Sequence, residues 1–210
     1  KFFFLKNIFF QSMPITIAIL GYSIAATIVF TYVGLFGEYA VAGYGSATRI
    51  EQVVLLPILG INTAIISIIA QNIGAKYYDR VEQSYFTSIK YGLFIMLIAG
   101  VVIFISADIV PKFFSSNPEV IMHGSMYLKI SAFILPAYPI FFLSNGFFMA
   151  LKKSEKAMVN NIARNVIVPV LSFYIAKYLN ADFKTFFYIW AIFQWLISLI
   201  LLFYVKYYIK

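Results

Sequence analysis

The sequence predicts an all-α membrane protein, a six-transmembrane-helix bundle, and three observations carry that prediction. The 210 residues are 62% hydrophobic, 20% aromatic and only 11% charged, with a mean hydropathy of +0.89. A soluble domain carries about 25% charge and about 45–50% apolar residues; so few charges cannot cover a water-soluble body of this size. Second, the charges are separated by apolar runs long enough to cross a hydrocarbon core of about 30 Å, which takes about 20 residues. Third, runs such as 196–203 are apolar almost all round, which argues against the in–out alternation of a membrane β-barrel.

The elements follow in chain order. Residues 1–13 open with a basic, aromatic stretch (KFFFLKNIFF) that suits an interfacial helix on the inner leaflet or an irregular end. No charge occurs between Lys6 and Glu38, so the first span is placed at 14–36. The second covers 39–70, with Arg49 and Glu51 in its first half, and the third 83–107. The fourth covers 120–151, the fifth 157–176 and the sixth 185–205. Before the fourth, Ser115-Ser116-Asn117-Pro118-Glu119 reads as a helix start, with Asn at the cap, Pro at the first position and an acid near the positive dipole end. The short connections predict antiparallel neighbours with no inserted soluble domain.

Six spans put both termini on one side. That side carries Lys1, Lys6, Lys76, Arg80, Lys90, Lys152, Lys153, Lys156, Lys206 and Lys210, against Lys112, Lys177 and Lys184 opposite. The positive-inside bias therefore predicts cytoplasmic termini in a multi-pass protein of the cell membrane. The net charge of +8 is explained by this topology and not by nucleic acid. The chain begins at Lys1 without an initiator Met, so a piece of a longer protein is expected.

Polar residues concentrate in four spans: Tyr22 and Thr27 in the first; Arg49, Glu51, Gln52, Asn62 and Gln71 in the second; Lys129 and Asn145 in the fourth; Asn161, Arg164 and Asn165 in the fifth. Polar groups in a membrane are costly and mark a water-filled cavity or an ion path, although single Ser, Thr and Asn residues also serve as glue between helices. In the sixth span, Gln194 and Trp195 are assigned to lipid contact or structural packing. Pro136 and Pro139 make the fourth span the one expected to bend, because each leaves the carbonyl four residues earlier without its donor.

Several chemistries are excluded. There is no cysteine and a single histidine, His123, so thiol catalysis, iron–sulfur clusters and multi-histidine metal sites cannot form. Gly43-Tyr44-Gly45 lacks the third glycine of a dinucleotide loop, and no phosphate-binding loop is present. The expectation is a transporter and not an enzyme, with a small-molecule substrate and no cofactor.

Glu51 is the one acid deep in a span. At 100° per residue, Arg49 points about 200° away from it, while Asn62 lies within about 20° of its stripe. With the second span starting at Glu38 and the fourth at Pro118, Glu51 and Lys129 reach similar depths. Glu51 is expected to face the interior, neutralised by Lys129 or by a cation of another helix, since an unpaired charge there is expensive. The alternative starts the span at Gln52 and leaves both charges at the outer interface. In a functional version Glu51 accepts a proton or a cationic substrate.

Residues 42–52 (AGYGSATRIEQ), 56–61 (LPILGI) and 70–75 (AQNIGA) resemble the eighth helix of MATE (multidrug and toxic compound extrusion) transporters, and 114–120 (FSSNPEV) with Tyr127 and Leu128 resembles the approach to the tenth. The resemblance implies one six-helix lobe of a twelve-helix, two-lobe transporter, namely the C-terminal one. It implies export of cationic, lipophilic or aromatic compounds in antiport with protons or sodium ions. The stretches 14–30 and 131–151 hold no acid, so the coupling-ion site is expected in the N-terminal lobe. Export of lipid-linked oligosaccharide, within the same superfamily, is the alternative.

Overall fold

The computed structural model describes the backbone of residues 2–209, with side chains from Leu20 onward and, before it, at Met13, Thr16 and Ile17. No strand occurs among the described residues. Helix α1 runs Phe2–Gly34, α2 Glu38–Gly74 and α3 Tyr78–Ser106. A single 3-10 turn (Val110–Phe113) leads to α4 (Pro118–Ile134) and α5 (Ala137–Ala150). Then α6 (Ser154–Ile162), a π turn (Ala163–Ile167) and α7 (Val168–Tyr178) form one continuous rod, followed by α8 (Phe183–Ile209).

Four of these rods, namely α2, α3, α6–α7 and α8, are long and apolar enough to cross a membrane, and the α4–α5 pair is a fifth. They take the second to sixth expected positions. In α1 the apolar stretch Leu20–Gly34 is shorter. Of the expected interfacial stretch 1–13, residues 2–13 are continuous in backbone with the rest of α1; Lys1 and the side chains up to residue 12 lie outside the described residues.

Asn117 caps α4 as its sequence requires: its side-chain oxygen accepts from the Glu119 N–H at 2.9 Å, with Pro118 at the first helical position. Helix α2 is central and packs on α3, α4 and α5, while α8 lies on α4, α5 and α7. The α2–α4 crossing is close because both backbones are bare there. A methyl group on Gly43 would sit 2.5 Å from the Val120 carbonyl oxygen and 2.8 Å from the Gly124 nitrogen. Small residues at such crossings let membrane helices gain packing that water does not supply.

The fourth span breaks where its prolines put the break. Helices α4 and α5 are bent by 54°. Pro139 leaves the Leu135 carbonyl without its helical donor, and the Tyr138 N–H takes it at 3.2 Å. Pro136 frees the Ala132 carbonyl, against which α3 presents Gly100, where a methyl group would lie 2.7 Å from that oxygen. The adjacent Phe133 carbonyl accepts from the Trp195 indole N–H of α8 at 2.9 Å. The break is therefore held from two sides.

Candidate functional site

The break, the π turn and α2 together shape one cavity. It has a volume of about 240 Å³ and is walled by aromatic rings, among them Tyr22, Phe30, Tyr44, Tyr127, Tyr138 and Trp190. Besides the tyrosine hydroxyls, its polar groups are Thr48, Glu51 and Gln52 from α2, Arg164 and Asn165 from the π turn, and Gln194 from α8. Tyr22 and Gln52 are exposed at its rim, while Glu51 is only 7% exposed at its floor.

Glu51 sits at the elbow of the broken span. Tyr127 of α4 donates its hydroxyl to Oε2, and Tyr138 of α5 donates to Oε1. One carboxylate thus joins both halves of the break. Tyr44 packs edge-on to Tyr127 at 4.8 Å and stacks with Phe187 at 5.2 Å, which fixes the Tyr127 ring. Hydrogen bonds to a charged acceptor are worth about 1.5–3 kcal/mol each, enough to hold a carboxylate that water no longer reaches.

Arg164 is the cation of the cavity. Its Nε donates to Gln194 Oε1 at 2.7 Å, and its guanidinium lies 4.3 Å from the Phe141 ring centre and 4.6 Å from that of Tyr138. It lines the same cavity as Glu51, and both groups contact Tyr138. The π turn explains its position. Pro169 has no N–H for the Asn165 carbonyl, and the wider turn takes up the proline; of its five residues Arg164 is the buried one.

Two expectations are corrected. Lys129 does not neutralise Glu51. It pairs with Asp108 at 2.7 Å, in the turn after α3, and this is the one ion pair among the described residues. On α4, Lys129 stands two residues, or about 200°, beyond Tyr127, so when Tyr127 faces Glu51 the lysine faces away. The second correction concerns Gln194 and Trp195, which do more than pack: Gln194, 3% exposed, holds Arg164 in the cavity, and Trp195 holds the break.

Of the other expected site residues, Tyr22, Gln52 and Asn165 join Glu51 and Arg164 in the cavity. Arg49 is exposed, as its angle from Glu51 requires. Thr27 is exposed and bonds the Ser23 carbonyl at 3.0 Å. Asn62 shares the stripe of Glu51 but lies eleven residues on, about 16 Å along the axis, where its Oδ1 abuts Gly146 and finds no donor among the described residues. Asn145 accepts from Asn160 at 3.1 Å, and Asn161 donates to the Ala157 carbonyl at 2.8 Å. Gln71 is exposed at the end of α2, where its carbonyl accepts from the Ala75 N–H. Sequence reasoning did not single out Tyr127 and Tyr138 as partners of Glu51. No spacing rule gives that pairing, because the two tyrosines lie on either side of the 54° break.

Residues 14–174 match the MatE family. The chain is 26% identical over 150 residues to the probable multidrug resistance protein YpnP of Bacillus subtilis (strain 168), covering 71% of this chain and 32% of that protein. It is 24% identical over 168 residues to the multidrug export protein MepA of Staphylococcus haemolyticus (strain JCSC1435), covering 80% of this chain and 37% of that one. Its fold is similar to that of a MOP superfamily transporter from Pyrococcus furiosus, with a TM-score of 0.89 at 22% identity, covering 94% of this chain and 45% of that chain. The chain thus spans about a third of the length of these two curated relatives. With 14–174 matched and a fold shared with half of a solved transporter, this chain belongs to the MatE family of multidrug and toxic compound extrusion transporters.

Proposed function

We propose that this chain is the C-terminal six-helix lobe of a secondary active transporter that exports organic cations or aromatic drugs in antiport with protons or sodium ions. The observation that carries the proposal is Glu51: a carboxylate on the floor of an aromatic-walled cavity, bonded by two tyrosine hydroxyls and with no ion pair within 4.0 Å among the described residues. A lipophilic cation entering there meets ring faces first and a negative charge behind them, the two attractions that such a ligand offers. The cavity volume, about 240 Å³, is below the roughly 300–1,000 Å³ of a complete ligand pocket. It suits one wall of a pocket completed by an N-terminal six-helix lobe of the same polypeptide.

In this reading both ends of the chain face the cytoplasm, the protein lies in the cell membrane, and the coupling-ion site lies in the N-terminal lobe. Because Glu51 bonds both α4 and α5, a cation or proton that takes its charge also loosens the tyrosines across the elbow. Substrate binding is thereby linked to the bend, which alternating access requires. The oligosaccharide alternative calls for a strongly basic cavity, whereas among the described residues Arg164 is the one cation lining this one, which Glu51 also lines.

Efflux of a fluorescent organic cation from vesicles holding the full-length protein tests the proposal, with proton and sodium gradients imposed separately. Efflux driven by one gradient and competed by unlabelled cations is expected; efflux indifferent to both gradients would refute antiport. The 210-residue lobe reconstituted alone is expected to be inactive, and gradient-driven uptake by it would refute the two-lobe requirement.

A further inference from the structure

At the end of α2 farthest from Glu38, the bundle carries a second cluster of charged and aromatic groups. Lys152 and Lys153 join α5 to α6, and the foot of α8 lies against this turn. Lys153 Nζ donates to the Tyr208 hydroxyl and stands 4.6 Å from the centre of its ring. Lys156 Nζ lies 4.6 Å from the same ring and 4.9 Å from that of Tyr204. Phe148 backs the two tyrosines at 5.8 and 5.3 Å. Both lysines are half-buried, and neither forms an ion pair among the described residues. Lys152 and Lys206, both exposed, are further cations on the same turn and helix.

Two ammonium groups near one ring repel each other, and an anion placed between them offsets that repulsion. Each keeps N–H donors beyond the one given to tyrosine. A phosphate has the charge and the several oxygens to take donors from both. The neighbouring surface identifies where that phosphate comes from. Ile200, Phe203 and Tyr207 of α8 are 63%, 67% and 81% exposed. Spaced three and four residues apart, they form one apolar stripe that leads along α8 to the lysines. The cluster also stands at the end of a 27-residue membrane helix, the level at which headgroups and interfacial tyrosines are found.

We propose that Lys153 and Lys156, seated on Tyr204 and Tyr208, bind the phosphate of an anionic membrane lipid whose acyl chain lies along Ile200, Phe203 and Tyr207. The lipid ties the α5–α6 turn to the foot of α8. Native mass spectrometry of the full-length protein tests this by titration with dioleoylphosphatidylglycerol, with dioleoylphosphatidylcholine and with inorganic phosphate as competitor. The anionic lipid is expected to bind more tightly than the zwitterionic one. Lys153→Gln/Lys156→Gln is expected to weaken it about thirtyfold, the worth of two cations at a membrane surface, with phosphatidylcholine unaffected. Lys153→Arg/Lys156→Arg should restore binding. Should the double glutamine variant not fold, Lys156→Gln alone carries the test with about a fivefold loss. Unchanged phosphatidylglycerol affinity in these variants overturns the site. Displacement of the lipid by millimolar inorganic phosphate overturns its assignment to lipid.

Discussion

Glu51 lies deep in α2 with its oxygens taken by Tyr127 and Tyr138, whereas Asp108, in the turn after α3, has a side chain 64% exposed and takes Lys129 and Ser125. The lysine expected at the first carboxylate is found at the second. Burying an ammonium beside a buried carboxylate costs two desolvations, which the mutual attraction often fails to repay. A phenol hydroxyl supplies a hydrogen bond without bringing a second charge. Lysine stands where water still reaches it, and the interior acid is hydrogen-bonded by neutral donors, although the buried guanidinium of Arg164 lines the same cavity. That arrangement leaves the charge of Glu51 open to an exchangeable partner, while the charge of Asp108 is already matched.

The largest test of this contrast is Glu51→Gln. It keeps the shape of the side chain and removes the charge, and efflux of a fluorescent cation by the full-length protein is expected to fall roughly thirtyfold or more, the usual loss when one member of a buried charge pair is removed. An unchanged rate and pH dependence would make Glu51 structural and end the comparison. Next come Tyr127→Phe and Tyr138→Phe. Each removes a charge-assisted bond worth about 1.5–3 kcal/mol and should lower the thermal unfolding midpoint, whereas Lys129→Met should leave cation efflux unaltered. If Lys129→Met is the damaging change, the assignment of partners is reversed.

A smaller effect is expected at the elbow. Trp195→Phe removes the donor to the Phe133 carbonyl, worth about 1 kcal/mol. Spin labels placed on α4 and α5 should report a broader distance distribution across the break, and an unaltered distribution would show that the prolines hold the bend unaided.

The smallest effect belongs to Asp108→Asn, below about 1 kcal/mol for so exposed a pair. Hydrogen bonds from Lys129 and Ser125 hold the Asp108 carboxyl below its ordinary range. Its contribution is thus complete above an unfolded-state pKa of about 4 and is lost as pH falls through the lower folded value. The stability difference between wild type and Asp108→Asn should shrink across that acid window. A difference that grows on acidification would contradict the pairing.

Much of this was legible along the chain, for reasons that are local. Whether a segment can cross a bilayer depends on its own apolar length, so five of the six expected spans coincide with a helix or bent helix pair long and apolar enough to do so. The cap at Asn117 and the break at Pro136 and Pro139 depend on one residue's side chain or one missing N–H, and both stand where the sequence places them. The opposed directions of Arg49 and Glu51 follow from helix geometry alone.

The partners of Glu51 were not legible in the same way. Depth along the axis made Lys129 a match, but partnership across helices depends on the rotation of α4 about its own axis, and that is set by the Gly43–Gly124 crossing and the bend. The same rotation brings Tyr127 inward and turns Lys129 toward Asp108. The π turn that aims Arg164, and the approach of Gln194 to it, likewise exist only once α6–α7 and α8 are packed. The sequence alone determined which segments are apolar enough to span and where the fourth breaks, because hydrophobic length and backbone donors are properties of single segments. The tertiary structure decided which groups share a cavity, because contact between helices depends on their mutual rotation, which no single segment encodes.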